Sequence, residues 1–249
     1  MTTPITTAGR RLRGRRNLLV VVAVLALAGI AAGGFGLWYI LIGTPSPAAA
    51  VPVIPAGASV PAPASLDGSW QVNTSLGSMN DFSSSWVGYR VQEQLAGVGG
   101  HTAVGRTPKV TGSLTLAGST VSAVSITADL TVLASDSAQR DDQLRRQAIE
   151  TDTFPTATFT LTAPIALGSL PADGATVGAT ATGDLTIHGA TKSVQISIQA
   201  QRRGGIIAVA GSIPIVFGDY GFQGPSSFAV VSVNDHGIME LHLLFTHVG

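Results

Sequence analysis

The chain has 249 residues and 45% hydrophobic residues, enough to bury a substantial core. Its formal net charge of zero conceals an asymmetry: five arginines (Arg10, Arg11, Arg13, Arg15, Arg16) precede Leu18, no charge follows until Asp67, and the remainder is acidic. That remainder excludes a nucleic-acid binder, which needs clustered positive charge to displace counterions, and the lack of cysteine excludes disulfides, a thiol nucleophile and a lipid-modified cysteine anchor.

Residues 18–42 form an uncharged run of 25 residues. As a helix at about 1.5 Å per residue it would measure roughly 37 Å, more than the roughly 30 Å hydrocarbon core, so it can span with some tilt. Trp38 and Tyr39 suit an interfacial belt, and the arginines place residues 1–17 in the cytoplasm, with the main domain outside the cell membrane. Ala48 to Ala50 offer a cleavage site, but the apolar run far exceeds the roughly 7–15 residues of a signal peptide, which favours a retained anchor. Residues 43–66, rich in Pro and Ala, read as a poorly ordered spacer before a domain over residues 67–249.

From Trp70 the pattern changes to short alternating runs broken by Gly, Pro, Asn and Asp. GSWQVN, SSWVGYRVQEQL, VTGSLTLAG and TVSAVSITADLTVLAS read as strands. The glycine-rich stretch between the second and third reads as a loop with His101 in solvent. Asp136 and Gln139 have capping-box spacing, Asp141 and Asp142 precede Arg145 and Arg146 as the helix dipole favours, and a helix of about three turns follows. Its apolar side is only Leu144, Ala148 and Ile149, so it acts as a lid or plug. Pro155 ends the helical run, and Thr158 to Thr162 alternate as a strand. Five more alternating runs follow, with turns at His188-Gly189-Ala190, Arg203-Gly204-Gly205 and Asn234 to Gly237.

About nine strands with one helix argue for a mainly β protein, an up-and-down antiparallel barrel that leaves no sheet edge. A two-sheet sandwich is the alternative. The apolar faces are rich in small residues and aromatics make up only 6% of the chain, so the interior can hold a tunnel.

Three groups of residues carry a resemblance. RDDQL (residues 140–144) with Phe154-Pro155 and Thr158-Phe159, then GDLTIHGATK (183–192), then IPIVFGDYG (213–221), resemble in content and order the motifs of the YceI-like family. The resemblance covers most of the chain from about Trp70. It implies a lipocalin-like antiparallel barrel with one short helix that holds a polyisoprenoid or other long amphiphilic chain. Such families often carry a His near the first long strand, where this chain reads SSSWVGYRVQEQL without one.

No Gly-x-Ser-x-Gly elbow or P-loop is present. His242 and His247 fall on opposite faces of a strand and His188 and His236 in turns, so no metal set forms. Neither catalytic residues, metal nor cofactor are expected, and the protein is read as a binder rather than an enzyme. The candidate ligand contacts are Trp86, Tyr89, Phe154, Phe159 and Leu161, together with Ile213, Ile215 and Phe217. Arg140 either pins the helix across the barrel mouth or meets a polar head group. The expected function is binding of a long apolar or isoprenoid-like lipid outside the cell membrane, as carrier, store or sensor, with the membrane reached through the N-terminal helix. A filled barrel serving as a structural or interaction module is the alternative. An enzyme acting on envelope lipids would have only Asp184, His188 and the Arg140–Asp141 pair to use. A homodimer or an envelope membrane-protein partner stays open.

Overall fold

The computed structural model describes residues 52–248 apart from 96, 98 and 226–229. The basic tail, the apolar run 18–42 and the start of the spacer lie outside the described residues. Among the described residues, no helix is long and apolar enough to cross a membrane.

In chain order the strands are β1 (Gly68–Val72), β2 (Trp86–Leu95), β3 (Gly99–Thr107), β4 (Val110–Ala117), β5 (Thr120–Asp129) and β6 (Ala134–Ser135). Helix α1 (Ala138–Gln143) continues into a π-helical turn (Leu144–Ala148). Then come β7 (Thr156–Leu161), β8 (Ile165–Ala166), β9 (Thr176–Ile187), β10 (Ala190–Arg203), β11 (Ile206–Val216), β12 (Val230–Val233) and β13 (His236–His247). Every pairing is antiparallel, and the order β1-β4-β5-β7-β9-β10-β11-β13 closes because β13 also pairs β1. The result is an eight-stranded barrel rather than a sandwich. β2 prolongs the line of β1 along β13, with Trp86 opposite His242 and Val72 opposite Phe245.

Four local readings change. The stretch read as a glycine-rich loop is strand β3, paired with β2 along its whole length; its Gly105 is needed because a Cβ there would lie 2.4 Å from Cε1 of Tyr89. The helix N-cap is Ser137 rather than Asp136: the Ser137 hydroxyl accepts from the Arg140 N–H at 3.3 Å, and Asp136 instead pairs with the Arg140 guanidinium. Asn234 to Gly237 is no hairpin, since β12 and β13 both pair β2, one after the other along the same strand.

The fourth change concerns the spacer. Its described part, residues 52–66, is laid against the barrel wall. β11 and β13 turn Ile206, Ala208 and Leu244 outward, and Ile54, Ala58 and Val60 cover them. The Val53 N–H donates to His242 Nε2 at 3.0 Å and the Gly205 N–H to the Val60 carbonyl at 2.8 Å. An apolar outer wall needs such a cover, and composition alone could not reveal that wall.

The interior holds two apolar clusters. One, around Trp70, Leu114, Leu116 and Phe245, lies towards the end of the barrel where β1 starts; the other, around Leu133, Ile149, Leu185 and Ile196, lies towards helix α1.

Candidate ligand-binding site

Strand alternation decides which side chains enter the barrel. On β2, Val87, Tyr89, Val91 and Glu93 point inward; on β13, Met239, Leu241, Leu243 and Phe245 do. The inward set leaves two cavity lobes that meet at Val87, Ala157 and Met239. The larger, about 170 Å³, is bounded mainly by aliphatic side chains with Phe159 and Phe245, and also by Thr158, Gln201 and Arg202. The smaller, about 100 Å³, lies under helix α1 against Leu144, Ala148 and Ile149, with Ile215, Phe217 and Phe222 on its far wall. A single water needs roughly 10–15 Å³ by the same measure, so both lobes are real spaces, and apolar lining keeps such spaces dry.

A buried charged group lies on this cavity under helix α1, while at the other end Gln201 and Arg202 bound the large lobe near the end of their strand. Glu93, 5% exposed, is ion-paired with Arg140 and hydrogen-bonded with His101 Nδ1 at 2.8 Å. Arg140 also pairs with Asp136 and donates to the Ser135 hydroxyl at 3.2 Å. Burial alone would lower the Arg140 pKa, but hydrogen bonds and charge from Glu93 and Asp136 outweigh it and raise the value. The guanidinium is therefore a fixed cation. Tyr89 lies beside this group in the small lobe, where burial drives its phenol pKa well above the ordinary value; it stays a neutral hydroxyl. Asp141 faces away from the cavity and accepts from the Ser135 N–H and hydroxyl, tying β6 to the helix.

Of the sequence-derived contacts, Tyr89, Arg140, Ile215 and Phe217 bound the small lobe and Phe159 the large one. Phe159 and Phe217 thus sit in different lobes and do not close a core between them. Leu161 and Ile213 pack in the surrounding cluster without bounding either lobe. Trp86 is overturned as a contact: the period of two that turns Tyr89 inward turns Trp86 outward, where Trp86 and Phe82 each lie 4.0 Å from the Arg106 guanidinium. Phe154 is likewise off the cavity, its ring centroid 4.3 Å from that of His188 and tilted to it, beside the turn after β9. His188 bonds the Tyr220 carbonyl through Nδ1 at 3.2 Å and Glu150 through Nε2 at 2.8 Å, and neither it nor Asp184 bounds the cavity.

The sequence reading missed Glu93 and His101. Their signal was the register: read as a strand, the glycine-rich stretch puts His101 opposite Glu93 on the inward face. A His is thus supplied to the first long strand by its neighbour.

A second buried polar group sits on the outer wall. Glu240 pairs with Arg90 at 2.9 Å and, more distantly, with Arg106 at 3.8 Å. Burial lowers the Arg106 pKa to about 10, which Glu240 opposes.

The YceI-like domain family matches residues 72–245, and the chain belongs to that family. No curated protein matches it. Among solved structures it is similar to a polyisoprenoid-binding domain from Saccharophagus degradans implicated in plant cell wall breakdown, at 16% identity over 73% of this chain and 99% of that one, with a TM-score of 0.55. It is also similar to BcnA of Burkholderia cenocepacia, at 22% identity over 64% of this chain and 95% of that one, with a TM-score of 0.50. At these identities the structural likeness speaks to the fold.

Proposed function

We propose that this YceI-like barrel binds one long apolar or isoprenoid-like chain, with the tail in the large lobe and the polar end in the small lobe beside Tyr89 and Arg140. The observation that carries the reading is an apolar cavity with a buried, mutually bonded polar group, Glu93 and Arg140 beside Tyr89, at its small-lobe end. Membership of the YceI-like family supports it, as does the Saccharophagus degradans relative described as polyisoprenoid-binding. At about 0.3 kcal/mol per heavy atom, a chain of about 20 carbons gives about 6 kcal/mol, a Kd of tens of micromolar. The action proposed is binding, as carrier, store or sensor, and Asp184 and His188 lie off the cavity. The barrel works outside the cell membrane, held there by residues 18–42.

The test is native mass spectrometry of the full chain from its own envelope, followed by solvent extraction and lipid analysis. A stoichiometric apolar adduct that disappears in folded Phe159→Glu and Phe217→Glu variants is expected. A bare mass, unchanged after incubation with isoprenoid alcohols, would leave a filled interaction module as the better reading.

A further inference from the structure

The strand register gathers the ends of β1, β4, β5, β9, β10, β11 and β13 that lie away from helix α1 into one rim. It consists of residues 66–68, 118–119, 167–175, 204–205 and 247–248. The large lobe reaches this rim, where Leu66, Leu170 and Pro171 bound it. Leu170 and Val248 are 40% and 42% exposed here. Three other large exposed hydrophobics among the described residues lie off the rim: Val53, beside His242 on the outer wall, and Val216 and Ile238 on the outer wall of β11 and β13 towards the opposite end.

Charge divides along the same axis. At the rim, Asp67 is occupied in accepting the Gly118 N–H at 2.7 Å, and Asp173 is bonded to Arg202 at 2.6 Å and to the Gly204 N–H at 2.9 Å. Arg203, exposed, adds a positive charge. The opposite end carries the acidic Asp136, Asp142, Glu150, Asp152, Asp219 and Asp235, all exposed, against the exposed bases Lys109, Arg146 and Lys192 and the half-buried Arg145.

We infer that the rim is a docking surface for a lipid bilayer, so that the large lobe opens against the membrane. The purpose of such docking rests on the lipid-binding reading; the surface itself does not. An anionic leaflet repels the acidic end more than the rim, where Arg202 and Arg203 balance Asp67 and Asp173, and this difference orients the barrel rim-down. Leu170, Pro171 and Val248 then exchange water for the interfacial region. A bilayer is favoured over a protein partner because the feature at the centre of the rim is the opening of an apolar cavity rather than a bonding pattern.

The absence of native cysteine permits clean single labels. L170C, D142C and I238C, each carrying an environment-sensitive fluorophore, are prepared in the full chain and reconstituted into phosphatidylcholine–phosphatidylglycerol vesicles. The cavity is filled beforehand with unlabelled isoprenoid alcohol so that quencher lipid cannot enter it. Nitroxide-bearing lipid is expected to quench the label at 170 several-fold more than those at 142 and 238, with the blue shift of a desolvated probe. Equal quenching at all three positions, or stronger quenching at 238, overturns the assignment. Native mass spectra of the same samples separate the two readings: an adduct without quenching at 170 removes the docking alone, and quenching without an adduct upholds docking while removing the cargo.

Discussion

Ala157 stands where the two lobes meet and is 8% exposed, which makes Ala157→Leu a measurement of whether the space is empty. If the new side chain enters a void, its three added carbons at about 0.8 kcal/mol each contribute about 2.4 kcal/mol. Lost leucine rotamers offset about 0.5–1 kcal/mol of this. The net gain of about 1.5 kcal/mol corresponds to a rise in Tm of about 3–6 °C for a domain of this size. The same carbons exclude cargo: at about 0.3 kcal/mol per displaced heavy atom, affinity falls by about 1 kcal/mol, or roughly fivefold. Scanning calorimetry of delipidated protein and titration with an isoprenoid alcohol read the two effects. Overpacking of a filled core would instead destabilise by about 1–3 kcal/mol, and that result with undiminished uptake would refute the two-lobed cavity.

Glu93→Gln leaves the buried His101 and Arg140 without their shared carboxylate, and urea denaturation should show a loss of about 3 kcal/mol; a loss below about 1 kcal/mol would mean the group is solvated and does not hold the helix. Burial holds the His242 pKa below its ordinary 6.5, so His242 is kept neutral, its Nδ1–H donating to the Ser84 carbonyl and its Nε2 accepting from the Val53 N–H. The stability it contributes is whole above pH 6.5 and drains as pH falls through the depressed folded value. Proteolysis within residues 52–60 should therefore rise between roughly pH 7 and roughly pH 5, and a His242→Gln variant should lose that dependence; an unchanged profile in the variant would assign the effect to another group.

Much of the barrel could be read from alternation, because one wet and one dry face imprint a period of two on long strands such as β9, β10 and β11. The failures have physical causes. β3 was hidden by its glycines, of which Gly105 is a seat for the Tyr89 ring and not a turn former; composition cannot distinguish the two uses. Trp86 and Tyr89 cannot both face the cavity, and strict use of the period would have separated them from sequence alone. Residues 52–66 looked free because their partners, Ile206, Ala208 and Leu244, are read as ordinary strand residues until the topology shows them facing outward. Arg140 bounds the small lobe, but its partner Glu93 lies 47 residues away and is brought near only by the pairing of β2 with β3 and β3 with β6.

The outer cover and the open interior belong to one energetic arrangement. A barrel that leaves its lumen unfilled forgoes the close contacts that normally stabilise a core of this size. Here β13 recovers part of the loss by being buried on both faces: Leu243 and Phe245 inward, and Glu240, His242 and Leu244 outward beneath the segments 52–60 and 73–85. Ser85 fastens the second of these segments, its hydroxyl accepting the Leu244 N–H at 2.9 Å and donating to the Asn73 carbonyl at 2.8 Å. The wall is thus stiffened from outside, which lets the inward positions keep small residues such as Ala157, Ala179 and Ala181. Because the stiffening layer makes no contact with the lobes, filling the interior and loosening the cover should perturb stability independently. Ala157→Leu combined with His242→Gln should then show additive changes in free energy to within about 0.5 kcal/mol. A larger coupling would mean that the outer layer shapes the cavity itself.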